Sequence, residues 1–125
     1  MIPENNFWNL VGEANRDLDQ FRKILNSMDK NELKEFVWMF RDKIEDLGDD
    51  AHMDAVLNGV DNITEDALED LLGWIVGKGK KYYLNIIKNP EETPSSILDE
   101  DRGIEIQYEA AQIYYSRFNE HIPHN

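Results

Sequence analysis

The sequence predicts an all-α, single-domain protein, and three observations carry that prediction. Apolar residues recur every three or four positions along most of the 125-residue chain. No segment alternates apolar and polar residues with period two, as a half-buried strand would. Asp29, Gly48 and Thr64 stand where helix boundaries need capping or turning residues. The length suits one domain, since domains most often run to about 100–150 residues. A hydrophobic content of 41% can fill a core of that size. The expectation is five to six packed helices in one domain over residues 1–125, with a loop at about 89–103 and a frayed tail at 120–125.

The first helix is expected from about 6 to 28, because Phe7, Leu10, Val11, Ala14, Leu18, Phe21, Leu25 and Met28 share one face. Asp29 and Glu32 form a capping-box pair, so a second helix runs from about 30 to 47 with Leu33, Phe36, Val37, Phe40, Ile44 and Leu47 inside. Gly48 suits the left-handed position that ends a helix. A short helix from Asp49–Asp50 to Val60 would turn Met53, Val56, Leu57 and Val60 inward. Thr64 then caps a helix over roughly 65–78, with Glu65 and Asp66 at its positive end. Its apolar residues Ala67, Leu68, Leu71, Leu72, Trp74, Ile75 and Val76 cover more than half its circumference, which makes it the central helix. Gly73 and Gly77 lie on one side, where a neighbour can approach closely. A shorter helix follows a break near Gly79 and closes at Pro90. Thr93-Pro94-Ser95-Ser96 has turn chemistry, with Ile97 and Leu98 as anchors. A last helix, about 101–119, places Ile104, Tyr108, Ala111, Tyr115 and Phe118 on one side.

Charge narrows the range of functions. Twenty-six Asp and Glu outnumber 13 Lys and Arg, a net charge of −13. Eleven of the acids fall in residues 42–70 against the single base Lys43, whereas residues 78–90 carry four lysines and no acid. Phosphate attraction supplies most nucleic-acid affinity, so direct DNA or RNA binding is not expected. An anionic membrane surface is disfavoured for the same reason, and no apolar run approaches the ~20 residues of a membrane span. The first residues lack a signal-peptide pattern, so the expectation is a cytoplasmic protein. A field of this sign favours a basic protein partner.

Catalytic and metal constellations are hard to assemble. There are no cysteines, which removes thiolate ligands and Cys nucleophiles. His52 stands among Asp49, Asp50 and Asp54, but the paired Glu-x-x-His motifs of a di-iron bundle do not occur. His121 and His124 flank Pro123 in the expected frayed tail. A calcium loop begun at Asp99 puts Ile104 and Ala110 where a turn glycine and a bidentate acid belong. The Gly73 to Gly77-Lys78 spacing is one residue too short for a phosphate loop. We therefore expect no catalytic residue, no metal and no cofactor. Trp38 lies nearly opposite the apolar face of its helix, beside Met39; it is either an interface anchor or buried against a second neighbour. Of Tyr82 and Tyr83, beside Lys80 and Lys81, one is expected to pack inward or the group to form a small anion or partner site.

The run from Gly73 to Tyr83, with Asn89-Pro90 after it, comes behind Phe7-Trp8 and a helix bearing Leu33, Glu35, Phe36 and Phe40. It precedes a closing Tyr/Ala-rich amphipathic helix, seen in Tyr108-Glu109-Ala110-Ala111 through Tyr115. In this order and spacing the chain resembles, over almost its whole length, the bacterial domain of unknown function forty-two-forty. It departs from that pattern at His52-Met53-Asp54-Ala55, where members often have Trp and another aromatic. The resemblance implies an all-helical bacterial cytosolic domain. It brings no established activity and so assigns no catalytic position. Small acidic relatives of this sort occur in toxin–immunity settings.

These readings converge on a non-enzymatic binding protein, most concretely an immunity-type inhibitor of a basic toxin such as a nuclease. The expected partner-binding residues are Trp38, Glu45, Asp46, Asp49, Asp50, Asp54, Glu65, Asp66, Glu69 and Asp70. Two alternatives remain at this point: a nucleic-acid mimic that blocks a defence or regulatory protein, and a small hydrolase or ligand-binding domain built on His52.

Overall fold

The computed structural model describes residues 2–97 and 103–124, apart from the side chain of Ile104. Among them are seven α-helices, not the expected five to six, and no strand: α1 (Glu4–Arg16), α2 (Leu18–Ser27), α3 (Lys30–Asp46), α4 (Asp50–Gly59), α5 (Glu65–Gly77), α6 (Lys80–Lys88) and α7 (Gly103–Phe118). A 3-10 turn over Pro90–Glu92 follows α6.

The extra helix comes from a break inside the expected 6–28 segment. Asp17 leaves the helical conformation, with φ −155° and ψ 97°, and its carboxylate accepts from the Gln20 backbone N–H at 3.1 Å. That bond satisfies a donor of the new helix, so α2 starts afresh and packs against α1. The caps at Asp29 and Thr64 form as expected: Asp29 and Glu32 bond reciprocally, and Thr64 Oγ1 accepts from Ala67 at 3.1 Å. Gly48 is not left-handed. Its N–H closes a turn onto Glu45 at 2.9 Å, and Asp49 begins capping α4 at once. The left-handed glycine is Gly79, at φ +114°, where the chain turns from α5 into α6.

The core is built by α1, α2, α3, α5 and α7. Phe7, Phe21, Phe36 and Phe40 cluster with ring centroids 5.2–6.4 Å apart, in tilted or edge-on geometry. The central helix is α5, as expected: Leu71 through Gly77 are all buried, and α7, α3 and α6 pack on it. A Cβ at Gly77 would lie 2.3–2.4 Å from the Gly103 backbone, so two glycines let α5 and α7 meet main chain to main chain. The Asn15 amide donates to Gly77 O at 2.8 Å, meeting a carbonyl at the C-terminal end of α5. Arg117 does the same for α2 by donating to Leu25 O at 3.0 Å.

Two expected faces differ. In α7 the buried apolar side chains are Ile106, Ala110, Ile113 and Tyr114, with Gln107 buried beside them, whereas Tyr108 and Tyr115 face solvent and Ala111 and Phe118 are half-buried. The helix is apolar around most of its girth, and its partners α5 and α3 select the other stripe. In α4 His52 and Val56 are buried and Met53 is half-buried against the core, as expected for Met53 and Val56, whereas Leu57 is half exposed. Ala67 of α5 is exposed as well. Ile97 packs against the core as an anchor, whereas Leu98 lies outside the described residues.

Candidate partner-binding surface

The acids of residues 42–70 arise where α3 ends, along α4 and over the first half of α5. Ten of the eleven are exposed and Asp70 is half-buried. Among the described residues none of them makes an ion pair with Lys or Arg; such pairs lie elsewhere, as in Arg22–Glu109 at 2.6 Å and Lys30–Glu120 at 2.6 Å. The helix starts account for part of this placement. Asp50, Glu65 and Asp66 sit in first turns, where the backbone N–H groups favour negative charge.

Three of the expected partner-binding residues also serve the fold. Asp49 caps α4 by accepting from the His52 N–H at 2.9 Å, and its carboxylate lies 2.5 Å from His52 Nδ1. The backbone bond from His52, then the ring bond, hold the Asp49 carboxyl below its ordinary range. Asp46 faces the Tyr83 hydroxyl at 3.5 Å. Burial first, and the Asp46 charge second, push that hydroxyl well above the usual phenol range. Asp70 accepts from the Tyr108 hydroxyl at 2.7 Å, a bond that, reinforced by burial, raises the Tyr108 phenol likewise. Glu45, Asp50, Asp54, Glu65, Asp66 and Glu69 carry no such duty.

The set is not gathered in one cleft. Glu45 shares a hollow of about 160 Å³ with Trp38, Arg41, Asp42 and His124. Asp70 borders a separate one of about 270 Å³ between Ile63 and Ser95–Ile97. His52, which belongs to neither, is 2% exposed and joins α4 to α6. Its Nε2 lies 2.8 Å from Ile86 O; a carbonyl only accepts, so Nε2 carries a hydrogen. With both ring nitrogens engaged, His52 is a structural link between helices and is not presented to a substrate.

Trp38 is neither free nor deeply buried. Its indole Nε1 donates to Pro123 O at 2.7 Å, and Arg41 approaches the same carbonyl at 3.4 Å. Residues 120–124, where fraying is expected, lie across α3 and α7. Glu120 bonds Lys30 and, at 2.8 Å, the Tyr114 hydroxyl; the Lys30 bond, then the Tyr114 bond, lower its pKa. The His121 ring packs 4.8 Å from that of Tyr115, and Ile122 is buried. No periodicity argument could find this seat, because it joins positions 85 residues apart.

Two further hollows are present, the second of them where the tyrosine–lysine group offered a small anion or partner site. One, about 550 Å³, opens between α1, α2 and the start of α3, with Leu10, Ile24 and Met28 inside and Glu13, Glu32 and Glu35 at its edge. It depends on the break at Asp17 that sets α2 beside α1. The other, about 660 Å³ and shallow, lies along α6 among Lys78, Lys81, Tyr82 and Lys88. Tyr83 is the inward-packing member of the tyrosine pair, and Tyr82 leans edge-on against Trp74 at 5.8 Å.

No group of three or more His, Asp or Glu among the described residues is arranged to hold a metal ion, and no described helix is long and apolar enough to cross a membrane. Neither a curated protein nor a solved structure matches the chain. A family does match, across residues 2–118, which takes in all seven helices: the chain belongs to the family described as a protein of unknown function, DUF4240.

Proposed function

We propose that the protein is a cytoplasmic, non-enzymatic binding domain that neutralises a basic protein, in the manner of an immunity protein acting on a toxin. One observation carries this reading: the acids of residues 42–70 are exposed almost throughout and unpaired with Lys or Arg among the described residues. An uncompensated surface of one sign accelerates encounter with a partner of the opposite sign and selects against others. A nuclease presents Lys and Arg to hold phosphate, and such a cleft would accept these carboxylates in place of nucleic acid.

The test separates contact from structure. Asp46, Asp49 and Asp70 are left alone because they bond within the fold, and Glu45, Asp54 and Glu69 are reversed together to Lys. Tagged wild-type and reversed proteins are then used to capture partners from the native cell lysate at low and high salt, with mass spectrometry of the retained proteins. The expected result is one basic protein that wild type retains at low salt, that salt releases, and that the folded triple variant captures at least about tenfold less, a loss equivalent to about 1.4 kcal/mol. Equal capture by both proteins, or no partner at either salt, would sink the reading.

A further inference from the structure

Residues 119–124 hold the Trp38 face in the way a bound peptide would. The anchor is an aliphatic side chain, Ile122, 9% exposed. The next residue, Pro123, offers a carbonyl that accepts from both Trp38 Nε1 and Arg41. The one after it, His124, lines the hollow that Asp42 and Glu45 border. Aliphatic residue, proline and basic residue thus meet the hydrophobic core, two donors and two carboxylates in order. The family match supplies an independent observation: it ends at Phe118, so this segment lies beyond the matched domain while the seat lies within it.

We propose that the Trp38–Glu45 face of α3 is a docking groove for a partner segment of the form aliphatic–proline–basic, and that residues 119–124 occupy it as an internal stand-in which the partner displaces. The proposal deepens the reading of Trp38 and Glu45 as partner-binding residues, on which it rests. A tethered segment competes at an effective concentration in the millimolar range, so only a partner with additional contacts, such as those to the acidic surface, would displace it. This arrangement makes capture selective: charge alone attracts many basic proteins, but only one bearing the right segment gains the seat.

The experiment needs no partner and so fails independently of the inhibitor reading. The Trp38 indole N–H resonance is followed in the full chain and in a chain ending at Phe118. The synthetic peptide of residues 119–125 is added to each at millimolar concentration. In the shortened chain the resonance should move, and the peptide should return it toward its position in the full chain. A peptide carrying Ile122→Asp should fail to do so. The same titration with His124→Lys should bind more tightly than with His124→Glu, by at least about threefold at low salt. In the full chain the unaltered peptide should have little effect.

A folded shortened chain whose Trp38 signal is unchanged would overturn the proposal, as would equal binding of the Ile122→Asp peptide. Equal binding of the His124→Lys and His124→Glu peptides would remove the basic position from it. If the shortened chain does not fold, the full chain carrying Ile122→Asp takes its place. A displaced Trp38 signal with unchanged core amides then supports the proposal, and collapse of the core amides shows that the segment is a structural member and not a stand-in.

Discussion

Helices α4 and α5 follow one another in sequence yet are held by different physics. From Leu71 onward every residue of α5 is buried, and its neighbours fit it through apolar packing and through the glycine contact at Gly77 and Gly103. In α4 only His52 and Val56 are buried, with Met53 half-buried against the core, and polar bonds add to this packing: His52, its ring held by Asp49, bonds Ile86 O, and Ser95 Oγ donates to Val56 O at 2.7 Å. Burial is non-directional and hard to undo at one point, whereas each polar bond is a single directional link whose loss strands a buried group. The acidic surface thus runs from a helix pinned at a few places onto the exposed first half of one whose second half is packed.

The sharpest way to break the contrast is within the packed half. Ile75→Ala removes a side chain from a site with no solvent access and should destabilise the whole domain by about 2–5 kcal/mol, measured by urea unfolding, with every probe moving together. A loss confined to α5 would mean that it does not organise the core. In the pinned half the lever is pH. The Asp49 carboxyl is lowered by its bonds from His52, so the stability it contributes is complete above the ordinary carboxylate range and is lost as pH falls through its lowered value. Asp49→Asn keeps a capping acceptor but cannot titrate. The variant should have a lower urea midpoint at neutral pH and a flatter decline toward acid than wild type; parallel acid limbs would show that the bond is not coupled to folding. The smallest effect is expected on the outer side of α4. Leu57, 50% exposed, should tolerate Ala within about 0.5 kcal/mol in the same unfolding measurement, and a larger loss would reveal hidden packing.

Legibility in the sequence followed the same division. The Phe36–Phe40 face and the caps at Asp29 and Thr64 are readable, because each depends on residues within a turn or two of one another; Gly77 is readable as a place of close approach, but its counterpart Gly103 is not. The break at Asp17 had its own local signal, an Asp followed three residues later by Gln20, but an unbroken apolar stripe ran across it and suggested one helix. On α7 two stripes were available, and only the packing of α5 and α3 decides between Tyr108 and Ile106 as the inward residue. The acidic surface was legible as composition. The division of labour within it was not: that Asp46, Asp49 and Asp70 bond inside the fold follows from Tyr83, His52 and Tyr108, of which Tyr83 and Tyr108 stand on other helices. Trp38 lies off the main face, where its helical position puts it, but its cover comes from the far end of the sequence.

Gly79 has a consequence of its own. At φ +114° and ψ 172° its backbone is close to the mirror image of an ordinary extended residue, and a side chain of the usual handedness is strained there. The junction between α5 and α6 therefore asks for the opposite chirality, a demand that ribosomal synthesis can meet only with the one achiral amino acid. A D-alanine placed there by chemical synthesis would take up the same turn in relaxed form and stiffen it. The direction in which the lysine-bearing helix leaves the core is in this sense a stereochemical choice made at one residue.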